Sequence, residues 1–264
     1  MQICENLRTN ISPQKSKIVH DNVIIINGDL PETMQIAELS LKALNHVFIA
    51  KIDNLNFVQL QSLKKIAEES GVVLQLGTGY KYCSVYNMLN EAALSAKVVE
   101  IKHQLVYNNN FFISLINDFD FVTSLLNVGI NKYNVKSWNN SENFTHLLHC
   151  ILECYNGCLI NATFYTIDEG TPKLEIGFIT SETIYSVDIF EAKVKKQKRS
   201  GDTIENITLD TYCEKSIFDN NMQNFNRAIS NDLEALRTID NQFQNIIIAN
   251  SIIERFSLNH GRVG

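Results

Sequence analysis

The sequence feature that most constrains the fold is the segment from residue 23 to residue 51. It opens with Val23-Ile24-Ile25-Ile26, a run too short for a helix and too apolar for a surface strand, which predicts a strand buried on both faces. A helix is predicted from Pro31 to Leu44, and His46-Val47-Phe48-Ile49 predicts a second buried strand that ends at Lys51. This order of strand, helix and strand predicts one right-handed βαβ unit with parallel strands.

The next segment repeats the alternation of helix and strand. Apolar residues at helical spacing between Asn54 and Gly71 predict a helix with Asn54 as its N-cap and Gly71 as its stop. The apolar run from Val72 to Leu76 predicts a third buried strand. Residues 23 to 78 are therefore expected to form three parallel strands of a doubly wound sheet, in which ligands bind at the carboxyl ends of the strands.

The pattern changes after residue 78. Alternating runs separated by turn residues predict a mostly antiparallel open sheet between residues 133 and 198. The other predicted elements are a helix at 84–95, a long strand from Val98 to Tyr107, a short helix from Asp118 to Leu126, a loop at 200–216 and two C-terminal helices.

The predicted fold class is α/β plus α+β, in two domains. Residues 1–78 form the parallel-sheet domain, and residues 79–264 form a large, mostly antiparallel open sheet with helices on one face. The C-terminal helices, within residues 217–257, are predicted to pack back on the N-terminal part.

Charge and composition exclude several classes of function. The formal net charge is −6, and the basic run from Lys193 to Arg199 suits a solvated strand end, so we expect no nucleic-acid partner. No apolar run approaches the length of a membrane span, and residues 1–5 carry no signal-peptide pattern. We therefore expect no membrane partner and a cytoplasmic location.

Three cysteines four residues apart, Cys150, Cys154 and Cys158, follow His146 and His149. Thiolate and imidazole are the ligands that zinc prefers, so a metal site is one interpretation. The other is a β-hairpin that turns at residues 156–157 and carries buried, reduced cysteines as small apolar side chains. The hairpin accounts for the pattern with fewer assumptions, and we predict no metal.

Three segments are similar to motifs of one enzyme family. Ala43 to Lys51 is similar to ALxxGKHVFxEKP, Glu69 to Gly77 to ESGVxLQVGH, and Glu153 to Cys158 to xFENGC. On these motifs the chain resembles the Gfo/Idh/MocA family of NAD(P)-dependent oxidoreductases over nearly its whole length. The resemblance implies a Rossmann-like domain followed by a domain built on a large open sheet.

The chain departs from the family where the resemblance implies chemistry. No G-x-G-x-x-G turn, whose amides bind a dinucleotide pyrophosphate, occurs in the sequence. The resemblance begins near the family's fourth strand, which predicts a truncated Rossmann-like domain without its first βα units. The family's DxxxHxxD motif corresponds to Ile113, Asn117 and Asp120. Asn117 thus replaces the histidine implied as general acid/base, and Ile113 replaces the first aspartate.

The resemblance also indicates a candidate pocket. Lys51 is retained from the family's E-K-P, whereas Ala50 and Ile52 replace its neighbours. Lys81 and Tyr82 take the place of an R-F pair, and Lys81 is a candidate pocket cation. The predicted pocket residues are Lys51, Lys81, Tyr82, Asn117, Asp118 and Asp120.

Two of these residues have a second interpretation. Asp118 and Asp120 either contact a ligand or begin the helix predicted at this point, where carboxylates favour the positive end of the helix dipole. His103 lies within a predicted strand, and we interpret it as structural.

The sequence therefore predicts a non-catalytic homologue that acts as a ligand-binding, assembly or regulatory protein and needs no cofactor. The alternative is a sugar or sugar-derivative oxidoreductase that uses NAD or NADP and takes its missing cofactor site from another chain. The resemblance implies a homo-oligomer formed through the C-terminal sheet and a sugar-like small molecule as ligand. The strand at Val23–Ile26 would be an apolar sheet edge, which also invites pairing with another chain.

Overall fold

The segment that opens the fold forms the predicted βαβ unit. The structure is a computed structural model that describes residues 22–27, 32–52, 56–81, 83–106, 111–140, 145–167, 169–198, 204–208 and 214–260. Its elements are β1 (Val23–Ile26), α1 (Thr33–Lys42), β2 (His46–Ile49), α2 (Phe57–Ser70), β3 (Leu74–Leu76), α3 (Ser84–Leu94), β4 (Val98–Val106), α4 (Phe111–Leu126), β5 (Ile130–Asn140), β6 (Thr145–Cys154), β7 (Leu159–Ile167), β8 (Lys173–Ile179), β9 (Thr183–Asp188), β10 (Lys193–Lys198), β11 (Ile204–Thr208), α5 (Glu214–Ile229) and α6 (Leu233–His260).

The first three strands form a parallel sheet, as predicted, and their order is β1-β2-β3. The predicted burial of β1 on both faces was wrong: β1 is an edge strand, and only Ile26 of its four residues is buried. Every residue of β2 is buried, because this central strand is covered on both faces. The predicted N-cap of α2 was wrong: the cap is Asn56, two residues after Asn54. Asn56 Oδ1 accepts from the Gln59 amide while Gln59 Oε1 accepts from the Asn56 amide, and this reciprocal capping box fixes the start of the helix.

The second sheet has eight strands in the order β11-β10-β9-β8-β4-β7-β6-β5. Its neighbouring strands are antiparallel except β4 and β7, which run parallel. The mostly antiparallel open sheet is confirmed. The predicted loop at 200–216 was wrong in part, because Ile204–Thr208 pairs with β10 as β11.

Helix α4 begins earlier than the sequence predicted. It spans Phe111–Leu126, so Asp118 and Asp120 lie within the helix and do not begin it. Both carboxyl groups are completely buried. The helix is apolar on most of its surface because it packs between β4 and the helices α3 and α6.

The two C-terminal helices contact the parallel sheet. Phe48 of β2 packs against Phe225 of α5, with ring centroids 5.7 Å apart. At the β3 edge, Gln242 Oε1 accepts from the Leu76 amide at 3.3 Å, and Gln242 Nε2 donates to the Leu76 carbonyl at 3.1 Å. One side chain of α6 therefore satisfies a backbone donor and acceptor that would otherwise be buried without partners. Among the described helices, none combines the length and the hydropathy that crossing a bilayer requires.

Candidate functional site

The candidate site lies at the carboxyl edge of the parallel sheet, where β2 and β3 end side by side. The Gly77 amide donates to the Ile49 carbonyl at 2.6 Å. A Cβ at residue 77 would lie 2.2 Å from the Ala50 carbonyl oxygen, so only glycine allows the two backbones to approach so closely. This contact fixes the loop after β3 (residues 77–81) against the end of β2, next to Lys51.

Asn117 of α4 contacts this loop. The Gly79 amide donates to Asn117 Oδ1 at 3.3 Å. A Cβ at residue 79 would lie 3.1 Å from Asn117 Nδ2, so the loop backbone and the amide side chain are in close contact. Thr78, between the two glycines, lies near Asn221 of α5, with Thr78 Oγ1 and Asn221 Oδ1 3.5 Å apart. The carboxyl edge is therefore lined by amides and backbone.

The same loop carries one half of a buried ion pair. Lys81 Nζ lies 3.1 and 3.0 Å from the two carboxylate oxygens of Asp120, and the side chains are 3% and 0% exposed. Burial raises the pKa of Asp120. Three interactions oppose that rise: the positive charge of Lys81, the hydrogen bond from Lys81 and a contact with Ser124. The pair joins the loop to α4 from inside the protein, and its charges neutralise each other.

A second buried pair connects the other face of α4 to the large sheet. His103 Nδ1 of β4 and Asp118 Oδ2 are 2.8 Å apart, and both side chains are almost completely buried. Burial lowers the pKa of His103 to about 4 and raises the pKa of Asp118 well above its ordinary value of 3.8. Both shifts favour a proton on the carboxyl group and a neutral imidazole. Asp118 Oδ1 has no hydrogen-bond partner among the described residues, which suits an uncharged acid better than a carboxylate.

Replacing Asp118 with asparagine is expected to make the protein more sensitive to acid. In the parent, burial raises the pKa of folded Asp118 well above its ordinary value, so this carboxyl group keeps a proton that the unfolded chain releases. Unfolded His103 gains a proton below pH 6.5, and the two changes offset each other in the proton count of unfolding. In Asp118→Asn, folded His103 stays neutral down to about pH 4, whereas unfolded His103 is protonated below pH 6.5. Unfolding then takes up a proton, and the free energy of unfolding falls with pH by up to about 3 kcal/mol.

Urea titrations of parent and variant at several values between pH 6.5 and pH 4 measure this difference. The asparagine Nδ2 can still donate to the neutral imidazole, so the variant keeps the hydrogen bond and changes the proton count. If the free energy of unfolding falls with pH equally in the parent and the variant, His103 and Asp118 do not share a proton.

The structure brings some of the predicted pocket residues together and separates others. Lys51 is exposed at the end of β2. Asn117 and the Lys81–Asp120 pair contact the loop after β3. Asp118 faces the large sheet instead, because residues two apart on a helix point in nearly opposite directions. Tyr82 lies outside the described residues.

The sequence prediction missed Gly77 and Gly79 as shaping residues of this edge. The spacing of two glycines directly after a buried strand was a usable signal, since glycine at a strand end marks close backbone approach. The sequence prediction also missed the partners of the two buried acids, because these partners are distant along the chain. Lys81 is 39 residues from Asp120, and His103 is 15 residues from Asp118.

The cysteines follow the hairpin interpretation. Cys150, Cys154 and Cys158 are buried, and Gly157 forms the turn between β6 and β7 with a φ of 80°. Burial raises the pKa of Cys150 and of Cys154 to about 12, so these thiols hold their protons. In the part of the chain that the structure describes, no group of three or more His, Cys, Asp or Glu side chains could hold a metal ion.

Two backbone amides at the carboxyl edge are already engaged and are not available to a dinucleotide. A pyrophosphate needs several backbone amides that point into open space at a glycine-rich turn. Here the Gly79 amide donates to Asn117, and the Gly77 amide donates to Ile49. Both glycine amides after β3 therefore have partners within the protein.

Comparisons with known proteins identify the fold. No protein-family model matches the sequence, and the comparison with curated proteins gives no match. Among solved structures, a dehydrogenase from Chromobacterium violaceum is similar with a TM-score of 0.73 and 13% identity, over 92% of this chain and 78% of that one. UDP-N-acetylglucosamine 3-dehydrogenase GnnA from Acidithiobacillus ferrooxidans is similar with a TM-score of 0.64 and 15% identity, over 89% and 79%.

A third similar structure is a super-repressor mutant of Gal80p from Saccharomyces cerevisiae, with a TM-score of 0.70 and 11% identity, over 90% of this chain and 78% of that one. At such low identities the similarity establishes the fold and leaves activity open. The chain has the fold of the Gfo/Idh/MocA-type oxidoreductases, as the sequence motifs predicted.

Proposed function

We propose that this protein is a non-catalytic relative of the Gfo/Idh/MocA oxidoreductases that acts as a ligand-binding, assembly or regulatory protein. The observation that carries the proposal is Asn117. This residue stands where the family resemblance implies the general acid/base, and its amide accepts from the Gly79 backbone. An amide side chain does not exchange a proton at neutral pH, so it cannot move the proton that accompanies hydride transfer.

The neighbouring positions support the same proposal. Ile113, in place of the family's first aspartate, is 6% exposed and belongs to the hydrophobic core. Asp120 is neutralised by Lys81 and is completely buried. Neither residue supplies an exposed acid or base at the carboxyl edge, where the exposed Lys51 would bind a sugar-like ligand. The structure named for a Gal80p super-repressor supports a regulatory role for a protein of this fold.

Homo-oligomerisation is the second part of the proposal. The open face of the eight-stranded sheet carries exposed apolar side chains, which include Trp138 at 53%, Ile151 at 43% and Ile184 at 45% exposure. Such side chains on an otherwise solvated sheet favour burial against a second copy. Light scattering is expected to report a dimer or a larger species, and a monomer at micromolar concentration would count against this part. We propose a cytoplasmic location, and the division into two domains at residue 78 stays a prediction.

The alternative function is a sugar or sugar-derivative oxidoreductase that uses NAD or NADP. The exposed Lys51 at the end of β2 favours it, as does the similarity to UDP-N-acetylglucosamine 3-dehydrogenase GnnA. In that case the dinucleotide site would lie outside the 264 residues of this sequence.

The variant Asn117→His tests whether a titratable side chain at this position is enough to give turnover. We expect no turnover from either the parent or the variant, because the 264 residues contain no glycine-rich pyrophosphate turn. The assay follows nicotinamide absorbance with NAD⁺ or NADP⁺ and a panel of aldoses and UDP-sugars. Asn117→Gln serves as the control, since it changes the side chain without adding a titratable group. Turnover in Asn117→His that is absent from Asn117→Gln would favour the oxidoreductase.

A further inference from the structure

A polar cavity lies between four helices, away from the carboxyl edge. α3, α4, α5 and α6 line a partly open cleft of about 420 Å³, a volume within the usual range for small-molecule sites. The residue of α4 that lines this cavity is Ser124, which lies about two turns, or roughly 10 Å, along the helix from Asn117. We call this cavity the helix pocket.

The lining of the helix pocket is rich in amides and hydroxyls. Each amide offers two donors and an acceptor, and each hydroxyl can both donate and accept. A ligand that carries several hydroxyl groups matches such a lining, whereas an apolar ligand would leave the amides without partners. The amide and hydroxyl side chains that the argument uses are Asn90, Ser124, Gln223, Asn224 and Thr238.

The charged residues at the helix pocket pair with each other in one cluster of an arginine and two carboxylates. Arg227 Nη2 lies 2.9 Å from Glu234 Oε2, and both residues line the cavity. The same Arg227 nitrogen lies 2.9 Å from Asp232 Oδ2. A charged ligand would have to compete with these existing pairs, so the electrostatics favour a neutral one.

Two further side chains are fixed before a ligand binds. The Tyr86 ring packs edge-on against Phe121, with centroids 5.7 Å apart. Asn224 Nδ2 donates to Gln75 Oε1 at 3.0 Å, which anchors that amide to β3. Side chains that are already ordered lose less entropy on binding, so they strengthen a site built from neutral hydrogen bonds. Burial also raises the pKa of Tyr86, so its hydroxyl keeps its proton.

We propose that the helix pocket binds a neutral, polyhydroxylated small molecule of about monosaccharide size. This site is separate from the carboxyl edge that carries Lys51 and Asn117. It does not depend on a dinucleotide, and it would persist whether or not the protein has lost redox chemistry.

The test uses the full chain and defined probes. Glucose, N-acetylglucosamine and myo-inositol are the neutral probes, and gluconate and glucosamine are charged probes of similar size. Saturation-transfer NMR with competition among probes is expected to show saturable binding of at least one neutral probe and weaker binding of both charged ones. Calorimetry on the best probe then gives its dissociation constant.

A matched pair of variants locates the site. Gln223→Ala removes a lining amide and should weaken binding of the best probe about three- to tenfold, the effect of losing one neutral hydrogen bond. Asn226→Ala, an equally exposed amide on the same helix that does not line the helix pocket, should leave the affinity unchanged.

Three results would overturn the proposal. The first is that no neutral probe binds saturably. The second is that the parent and Gln223→Ala bind the best probe with equal affinity. The third is that Lys51→Met loses binding while Gln223→Ala keeps it. The last result would place the ligand at the carboxyl edge. Because the helix pocket does not include that edge, failure of this test and failure of the proposed function are distinguishable.

Discussion

Replacing Lys81 with methionine should lower the free energy of unfolding by about 3–5 kcal/mol. Lys81 is 3% exposed, and its partner Asp120 is completely buried, so the variant leaves a carboxylate in the interior without its cation. Removing both partners should cost much less, because Lys81→Met combined with Asp120→Leu leaves no buried charge. Denaturant titration of the two single variants and the double variant measures the coupling.

The Lys81→Met variant should also respond to pH in a specific way. Without the cation, burial raises the pKa of Asp120 further, so the folded state binds a proton at a higher pH than the unfolded state does. The resulting stability is greatest at low pH and is lost as the pH rises through the folded-state pKa. The variant should therefore recover part of its stability on acidification.

A surface lysine provides the control for this prediction. Lys173 pairs with Glu175 at 2.8 Å, but the two side chains are 51% and 44% exposed. Lys173→Met should change the free energy of unfolding far less than Lys81→Met does, as is usual for solvated pairs. If Lys81→Met lowers the free energy of unfolding no more than Lys173→Met does, the buried pair stabilises the fold no more than a surface pair does.

Replacing Gly77 with alanine should cost about 3 kcal/mol or more. The new Cβ would lie 2.2 Å from the Ala50 carbonyl oxygen and 2.8 Å from its carbon. These are backbone atoms, which cannot rotate away as a side chain can, so the ends of β2 and β3 must separate. The hydrogen bond from the Gly77 amide to Ile49 would be lost with them.

Gly177→Ala is the control, because Gly177 also lies in a sheet, in the half-buried middle of β8. A Cβ there would meet Glu100 Cβ at 3.7 Å, an ordinary contact. The control should change stability by less than about 1 kcal/mol, since alanine is tolerated where space exists. If both variants unfold at the same denaturant concentration, the close approach of β2 and β3 is not a constraint on the fold.

The sequence predicted most of the fold because hydrophobic period and turn residues are local signals. The β-branched run Val23 to Ile26 and the alternation across β6 and β7 each specify a strand without reference to distant residues. Strand β11 was missed because its sequence is largely polar, and pairing with β10 stabilises it. Pairing of this kind depends on tertiary context.

The candidate site was predicted less completely than the fold. Motif similarity placed Lys51 and Asn117 at the carboxyl edge, and the structure places Asn117 against the loop after β3. Motif similarity gave no information on the partners of the buried acids, because Asp118 and His103 come into contact only when α4 packs on β4. The start of α4 was wrong for a related reason, since two aspartates within an apolar helix resemble an N-terminus until their buried partners are known.

The most direct test of the central claim is a calorimetric titration of the full chain with NAD⁺, NADH, NADP⁺ and NADPH. Circular dichroism of the same sample confirms that the protein is folded. A non-catalytic relative without a pyrophosphate turn predicts no saturable heat up to millimolar nucleotide. Saturable binding in the micromolar range would contradict this account and would favour the oxidoreductase alternative.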